Sequence, residues 1–291
     1  TNLPSETPLL ATTATANNRV IDDIHEQLES GISVQRGQLT RKSINLRVKK
    51  AFSYEERLSI ILSDINQMKS NGMNHAGIIY ALTVRDSERV AKWLQISGIK
   101  AHAYHANLEN SEKLKLEEEL IQNELDVLVA TSALSMGFDK PDLGFVYHFQ
   151  TPQSVVHYYQ QVGRAGRAIP EAFGTCLLGK EDRNIIDYFI KDAFPSIYEL
   201  EKVTNFLAQN GKSSLADIKN NVNLKDGRVK KCLKILSTLE NPPVIKDQKK
   251  WVRTSNILDI DEQKILSINK LREDEWQEMM TYIDGGECLT R

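Results

Sequence analysis

Two hydrophobic rhythms divide the chain. From about residue 73, the short strand-like runs "AGIIYAL", "IKAHAY", "LDVLVAT", "GFVYHF" and "GTCLLG" follow one another. Runs of this length predict buried strands. Between them lie segments of helical period: "RDSERVAKWLQISG", closed by Gly98, "NSEKLKLEEELIQN", capped by Asn110 or Ser111, and "SVVHYYQQVG". Strand and helix taking turns predict an α/β layer, a parallel sheet flanked by helices on both faces, with ligands at the carboxyl ends of the strands.

Past residue 196 the rhythm is helical. "IYELEKVTNFLAQN", "LADIKNNV" and "LKDGRVKKCLKILSTLE" predict three helices. The third carries Val229, Leu233, Leu236 and Leu239 on one face, which reads as core, and Lys225, Arg228, Lys231 and Lys234 on others. A strand pair follows in "PVIKDQKKWVRTS", with a polar turn at Asp247 to Lys249. Three helices and a basic hairpin predict a mainly α winged helix-turn-helix domain, a common DNA-binding form. A long helix is expected from Asp261 to about Ile283. At the other end, "TPLLATTATANNRVIDDIHEQL" reads as a strand entering a capped amphipathic helix, with Val20, Ile21, Ile24 and Leu28 at helical spacing. That strand needs sheet partners and none precede it. The expectation is a chain that starts inside a domain whose larger part is missing.

Composition adds little until it is read locally. At 291 residues, 41% hydrophobic and 26% charged, the chain is an ordinary soluble protein of about two domains. Neither a run of about eighteen apolar residues nor a charged-then-apolar leader is visible, so a membrane partner is not expected and the reading is cytoplasmic, nucleoid-associated if the source is bacterial. Cys176, Cys232 and Cys288 stand singly and read as reduced thiols. The net charge of −2 hides an asymmetry: residues 197–256 hold 12 Lys and Arg against 6 Asp and Glu. A basic module is joined to an acidic one, which points to a polyanion partner.

The chemistry begins with an absence. No G-x-x-x-x-G-K-[ST] phosphate loop is present, since Gly179-Lys180 runs into Glu181 and Gly211-Lys212-Ser213 has Phe206 where the first glycine belongs. Nor is there a D-E-x-[DH] stretch to hold magnesium. "QQVGRAGR", however, fits Q-x-x-G-R-x-G-R from Gln160, with Gly163 and Gly166 allowing a tight turn around Arg164 and Arg167. By itself such a turn is as well explained by solvation as by phosphate binding.

It does not stand by itself. "LLATTATAN" (9–17), "GIIYALTVRDSERVAKWL" (77–94), "AYHANL" (103–108) and "VATSALSMGFDKPDLGFVYHF" (129–149) precede it. In order and approximate spacing these are the motifs of the RecQ-like DNA helicases of superfamily 2, which residues 9 to about 180 resemble, without the lobe that carries the ATP-binding loop and acidic box. The M-G-x-[ND]-K-P form at Met136 to Pro141, the A-Y-H-A stretch and G-R-A-G-R favour RecQ over the RNA-directed DEAD-box enzymes. Departures are Leu134-Ser135 for the usual F-G, a loose match of "RKSINL" to R-x-N-[IL], and Ala168-Ile169 for D-G.

The resemblance implies an ATP-driven motor that moves 3′ to 5′ on single-stranded DNA and separates duplexes in repair or recombination. It divides the chain into the tail of a first RecA-like lobe (1–35), a second RecA-like lobe (36–195), a winged helix (196–258) and a C-terminal helix (259–291). ATP and Mg2+ would be bound mainly by the first lobe, so this chain alone is expected to be inactive. Arg164 and Arg167 would face the ATP phosphates, one of them as the arginine finger. Gln160, Gly163, Gly166, Asp139, Gly137, Thr13 and Thr15 would couple nucleotide to lobe movement. Thr83, Arg85, His105, Thr131 and Ser132 would line the DNA path. In the winged helix, Lys225, Arg228, Lys230, Lys231 and Lys234 would meet phosphates; Lys249, Lys250, Trp251 and Arg253 would grip or wedge single-stranded DNA and duplex junctions.

Plainer readings stay open. Thr131 and Ser132 suit capping the next helix, His105 and His148 suit buried hydrogen-bonded positions, Tyr158 and Tyr159 suit helix core, and exposed lysines serve solubility. Metal ligands are not assigned within the chain; Cys288 could open a zinc module only beyond Arg291. In the family a four-cysteine zinc module usually comes between lobe and winged helix, and here it does not. The alternative functions are a non-motor DNA-binding protein with a degenerate helicase lobe and an RNA helicase fragment. No oligomeric state is assigned.

Overall fold

A computed structural model describes residues 8, 10–13, 18–28, 33–35, 37, 41–134 and 138–285. Two compact units are present: residues 1–183 with 275–291, and residues 184–274.

In the first unit, six strands among the described residues form one parallel sheet. They are β1 (Ile44–Lys50), β2 (Gly77–Tyr80), β3 (Ala101–Tyr104), β4 (Val127–Ala130), β5 (Phe145–His148) and β6 (Ala172–Leu178), in spatial order β1-β6-β5-β2-β4-β3. Side chains alternate across it with the period of two that a pleated strand imposes. Ile78, Tyr80, Leu128, Ala130 and Val146 enter one core with Leu116 and Leu120 of α4 (Asn110–Ile121) and Tyr158 and Val162 of α5 (Val155–Val162). Ile79, Val127, Val129 and Tyr147 enter the other with Leu58, Ile61 and Ile65 of α2 (Tyr54–Ser70) and Val90 and Leu94 of α3 (Val84–Ile96). The sheet is thus covered on both faces, the parallel α/β arrangement predicted from the alternation of elements and implied, as a RecA-like lobe, by the resemblance. Tyr158 is core, 2% exposed.

Three local details differ from the prediction. Residues 8 and 10–13, expected in a strand, are outside any strand, and residues 14–17 lie outside the described residues. The helix after them, α1 (Asn18–Leu28), is present. Neither Asn110 nor Ser111 caps α4; the cap position falls on Glu109, whose side chain makes no capping bond. Elements not foreseen include edge strand β1 and α2, the latter capped by Ser53, whose hydroxyl accepts from Glu56 N at 3.1 Å.

In the second unit, α6 (Asp182–Ala193, from Asn184 on), α7 (Ile197–Asn210), α8 (Leu215–Asn221) and α9 (Asp226–Thr238) precede the hairpin β8 (Val244–Asp247) and β9 (Lys250–Arg253). The short β7 (Ser213–Ser214) adds to β9 in an antiparallel sheet of order β7-β9-β8. Val229, Leu233 and Leu236 of α9 meet Leu200, Val203 and Leu207 of α7 in a separate core, as their spacing predicts. The helix α10 (Glu262–Ile283) starts within one residue of its expected position, and Met279 and Ile283 at its end join the core of the first unit. Among the described residues no helix is long and apolar enough to cross a membrane. Burial pushes the Cys176 and Cys232 thiols up, to about 12 and about 11, which keeps both protonated and inert at neutral pH. Cys288 lies outside the described residues.

Candidate functional site

The glycine-arginine turn is built by the end of α5. That helix opens at Ser154, whose hydroxyl accepts from His157 N at 3.2 Å, and closes at Gly163, whose N–H donates to Tyr159 O at 2.9 Å. Gly166 follows with φ of +66°, a left-handed conformation that costs a non-glycine residue about 1–2 kcal/mol. Space is also short, since a Cβ there would stand 2.9 Å from Ser43 Oγ and 3.0 Å from Ala172 Cβ. Side chains from just before β1 hold the turn: Arg41 Nη1 donates to Gly163 O at 2.8 Å and Ala165 O at 3.0 Å, and Ser43 Oγ donates to Gly166 O at 2.6 Å.

The two arginines diverge. Arg164 turns inward: its Nη1 donates to Phe138 O at 2.8 Å, and it reaches the hydroxyl of buried Tyr80. Burial pushes that phenol up to about 12 even though Arg164 pulls the other way, so Tyr80 stays neutral. Arg167 is at the surface, its side chain 39% exposed, with Nη1 2.6 Å from Oδ1 of Asp139, itself 59% exposed. Both arginines therefore grip the segment after β4, which Lys140 pins from beneath. The buried Lys140 Nζ donates to Asp142 Oδ1 at 2.8 Å and to Ile121 O, at the end of α4, at 3.2 Å. Gln160 is exposed on α5. Its neighbour Gln161 hydrogen-bonds His148 Nε2 at 2.7 Å; burial drives that histidine down to about 4, leaving it neutral. His148 is a core residue. Thr13 is exposed, and Gly137 and Thr15 lie outside the described residues.

The sheet's direction sorts the remaining candidates. The strands run parallel, so the segments after β2, β3 and β4 share the carboxyl edge, with Thr83, Arg85, His105, Thr131 and Ser132. The arginine turn, lying between α5 and the start of β6, is at the amino edge, where Gly166 N donates to Leu143 O just before β5. The candidates thus fall at both edges of the sheet. The segment 131–142 connects the two edges.

At the carboxyl edge Thr83 is committed elsewhere. Its Oγ1 accepts from Asp86 N at 3.0 Å and donates to Asp86 Oδ2 at 2.7 Å, capping α3. Gln150, not singled out from sequence, supports this cap by donating to Asp86 Oδ2 at 2.8 Å and accepting from Leu82 N at 3.0 Å. Thr131 is nearly buried, its Oγ1 accepting a long bond from Ala133 N at 3.4 Å, while Ser132 and Arg85 are exposed. His105 is buried, with Nε2 3.3 Å from Glu88 Oε1.

In the second unit three candidates are absorbed by the fold. Arg228 donates through Nε to Glu199 Oε1 at 2.8 Å, through Nη1 to Asp192 O at 2.8 Å and through Nη2 to Phe194 O at 3.1 Å. Its hydrogen bond holds the Glu199 carboxyl below its ordinary range. Lys231 pairs with Asp192, and Arg253 donates to Pro243 O at 2.8 Å and Thr254 O at 3.0 Å. All three side chains thus have partners within the unit. Trp251 is half-buried against the apolar core with Lys246 over its ring, and the hairpin turns at Gln248-Lys249, beyond the paired Asp247 and Lys250. Lys225, Lys230, Lys234, Lys249 and Lys250 remain exposed. No group of three or more His, Cys, Asp or Glu suited to a metal occurs among the described residues.

The helicase conserved C-terminal domain family matches residues 56–169. The chain is 38% identical over 174 residues to a putative ATP-dependent DNA helicase Q1 of Caenorhabditis briggsae, covering 59% of this chain and 27% of that protein. It is 36% identical over 161 residues to the ATP-dependent helicase SGS1 of Saccharomyces cerevisiae, covering 55% and 11%. The chain thus spans well under half the length of these relatives. Among solved structures, S. cerevisiae Dbp5 bound to RNA and ADP BeF3 is similar with a TM-score of 0.54 at 18% identity, over 65% of this chain and 50% of that one, a likeness of fold.

Proposed function

We propose, on the premise that this chain belongs to the RecQ-like helicases of superfamily 2, that it is the second motor lobe of an ATP-driven DNA helicase followed by a DNA-binding winged helix. The observation that carries this reading is Arg167, projected at the surface from a turn whose backbone is held by Arg41, Ser43 and Gly166. ATP with Mg2+, held mainly by a first lobe, supplies the phosphoanhydride whose hydrolysis drives movement.

Arg167 is the arginine finger in this reading. It can leave exposed Asp139 at little cost, because such surface pairs contribute about 0–1 kcal/mol. Arg164 keeps segment 131–142 in place, with Gly163, Gln160 and Thr13 coupling the turn to the first lobe. At the other end of that segment Ser132 and Thr131, with Arg85 and His105, face the DNA backbone. Thr83 acts only by capping α3.

The second unit, with α7 to α9 and a hairpin, is the winged helix of this scheme. Lys225 at the N-cap of α9, Lys230 and Lys234 on that helix, and Lys249 and Lys250 on the hairpin meet phosphates; contacts of that kind select DNA structure more than sequence. Charge reversal of both Lys230 and Lys234 to Glu is expected to weaken duplex binding by the chain about tenfold or more and to reduce the slope of log affinity against log salt by about 2. An unchanged salt slope would move the DNA surface elsewhere.

The whole reading is tested by joining this chain to an ATP-binding lobe of the family and assaying unwinding of 3′-tailed DNA, 5′-tailed DNA and RNA duplexes. ATP-dependent separation of the 3′-tailed DNA alone supports a 3′ to 5′ motor of the kind used in repair or recombination. DNA binding without ATP turnover would leave a non-motor scaffold, and preference for RNA would reassign the substrate.

A further inference from the structure

The turn bearing Arg164 and Arg167 has carbonyls that its own backbone does not satisfy. Among the described residues Gly163 O, Ala165 O and Gly166 O are met by side chains, and all of these come from residues 41–43. The bonds to Ala165 O and Gly166 O are part-buried and that to Gly163 O is exposed; a tight turn past a helix end supplies no donors of its own for them. Arg41 Nη1 has two hydrogens and uses both, one for Gly163 O at 2.8 Å and the other for Ala165 O at 3.0 Å. The two acceptors flank Arg164. Ser43 takes the carbonyl of Gly166, the residue immediately before Arg167, at 2.6 Å. Gly166 is packed so closely on Ser43 that a Cβ would stand 2.9 Å from its hydroxyl, so the turn and segment 41–43 are in direct contact.

We infer that Arg41 is a positioning residue for nucleotide hydrolysis: its guanidinium fixes the turn from which Arg167 projects and does not itself touch the nucleotide. This rests on the proposed motor reading, in which Arg167 is the finger. A finger works only when its charge arrives at the reacting phosphate in register, and a misplacement of about 1 Å can cost a hundredfold in rate. An ammonium is a weak substitute, because a lysine has a single terminal nitrogen on a different stem and lacks the planar fork.

The test uses a protein joining this chain to an ATP-binding lobe. Arg41→Met, Arg41→Lys, Ser43→Ala and Arg167→Lys are compared for kcat and KM of DNA-stimulated ATP hydrolysis, together with the double variant Arg41→Met/Arg167→Lys. Arg41→Met is expected to lower kcat about 10- to 100-fold with KM for ATP within about threefold, and Arg41→Lys to recover only part of the loss. Because Arg41 acts through Arg167, the double variant should turn over no more slowly than Arg167→Lys, whose residual rate stays measurable. Ser43→Ala is the milder change and should lower kcat without moving the melting temperature; it decides the matter if Arg41→Met does not fold. Full kcat in Arg41→Met, unchanged kcat in Ser43→Ala, or losses that multiply in the double variant would each overturn the inference while leaving the motor reading intact. Wild-type kcat in Arg167→Lys together with Arg167→Ala would remove the finger assignment, and the inference with it, whereas absence of ATP turnover in the unsubstituted protein would remove the motor reading.

Discussion

Arg167→Ala, in a protein joining this chain to an ATP-binding lobe, should lower DNA-stimulated ATP hydrolysis by about a thousandfold or more, the usual worth of an arginine finger. Affinity for ATP and the melting temperature should hardly change. Those two constancies follow from its surroundings: the side chain is at the surface, and its ion pair with Asp139 joins two exposed groups. Arg164→Ala should behave differently. It removes a hydrogen bond to Phe138 O beneath segment 131–142 and leaves the Tyr80 hydroxyl without its cationic neighbour, so it should lower stability as well as turnover. Steady-state kinetics, nucleotide titration and thermal unfolding of the two variants separate finger from clamp. If Arg164→Ala stayed fully stable while Arg167→Ala unfolded, the roles would be exchanged.

The second large effect concerns Gly179. A Cβ there would lie 1.5 Å from Arg57 Nη2, so alanine must drive the guanidinium away. The end of a long side chain often yields cheaply, but Arg57 is 0% exposed. Its Nη2 donates to Asp182 Oδ1 at 2.7 Å; Glu181 lies 3.1 Å from Nη1 without hydrogen-bond alignment. Asp182 also accepts from Thr151 N at 3.0 Å, Thr151 Oγ1 at 2.8 Å and Gly179 N at 3.1 Å. Losing one partner of a buried pair costs about 3–5 kcal/mol. Gly179→Ala is therefore expected to destabilise the first unit by about that amount in denaturant unfolding. Burial raises the Asp182 carboxyl above its ordinary range while Arg57 opposes the rise. Displacing Arg57 raises it further, so the folded variant binds a proton more readily than its unfolded chain, and the penalty should shrink as pH falls through that raised value. A penalty that grew on acidification would mean that Asp182 keeps a cationic partner.

How far residues alone led can be judged element by element. Strands β2, β4 and β5 are buried on both faces and read as unbroken apolar runs, so the parallel sheet was visible in outline. Edge strand β1 was not, because exposed Asn45 and Arg47 and half-buried Lys49 alternate with exposed Leu46 and Val48, and such a pattern does not announce a strand. The arginine motif was plain, yet its supports were not. Arg41 lies 122 residues from Gly163 and Arg57 lies 125 from Asp182, and one chain carries no signal of pairs so far apart. The basic stripe on α9 misled in the opposite sense. Helical spacing placed Arg228 and Lys231 outward, but Asp192 and Glu199 on other helices meet them, leaving Lys230 and Lys234 to solvent.

The strand order has a consequence for how the molecule comes into being. Ile44 to Lys50 pair with Ala172 to Leu178, the nearest and the last strands of the sheet in chain order. Long-range parallel pairing of this kind is slow to form, since loop closure is paid for before any contact rewards it. During synthesis β1 must wait, its edge open, until β6 emerges. Arg41 and Ser43 sit immediately before that waiting strand, and the turn they hold immediately precedes β6. A nascent or truncated lobe therefore lacks a seated arginine turn until the last strand in chain order pairs with the first.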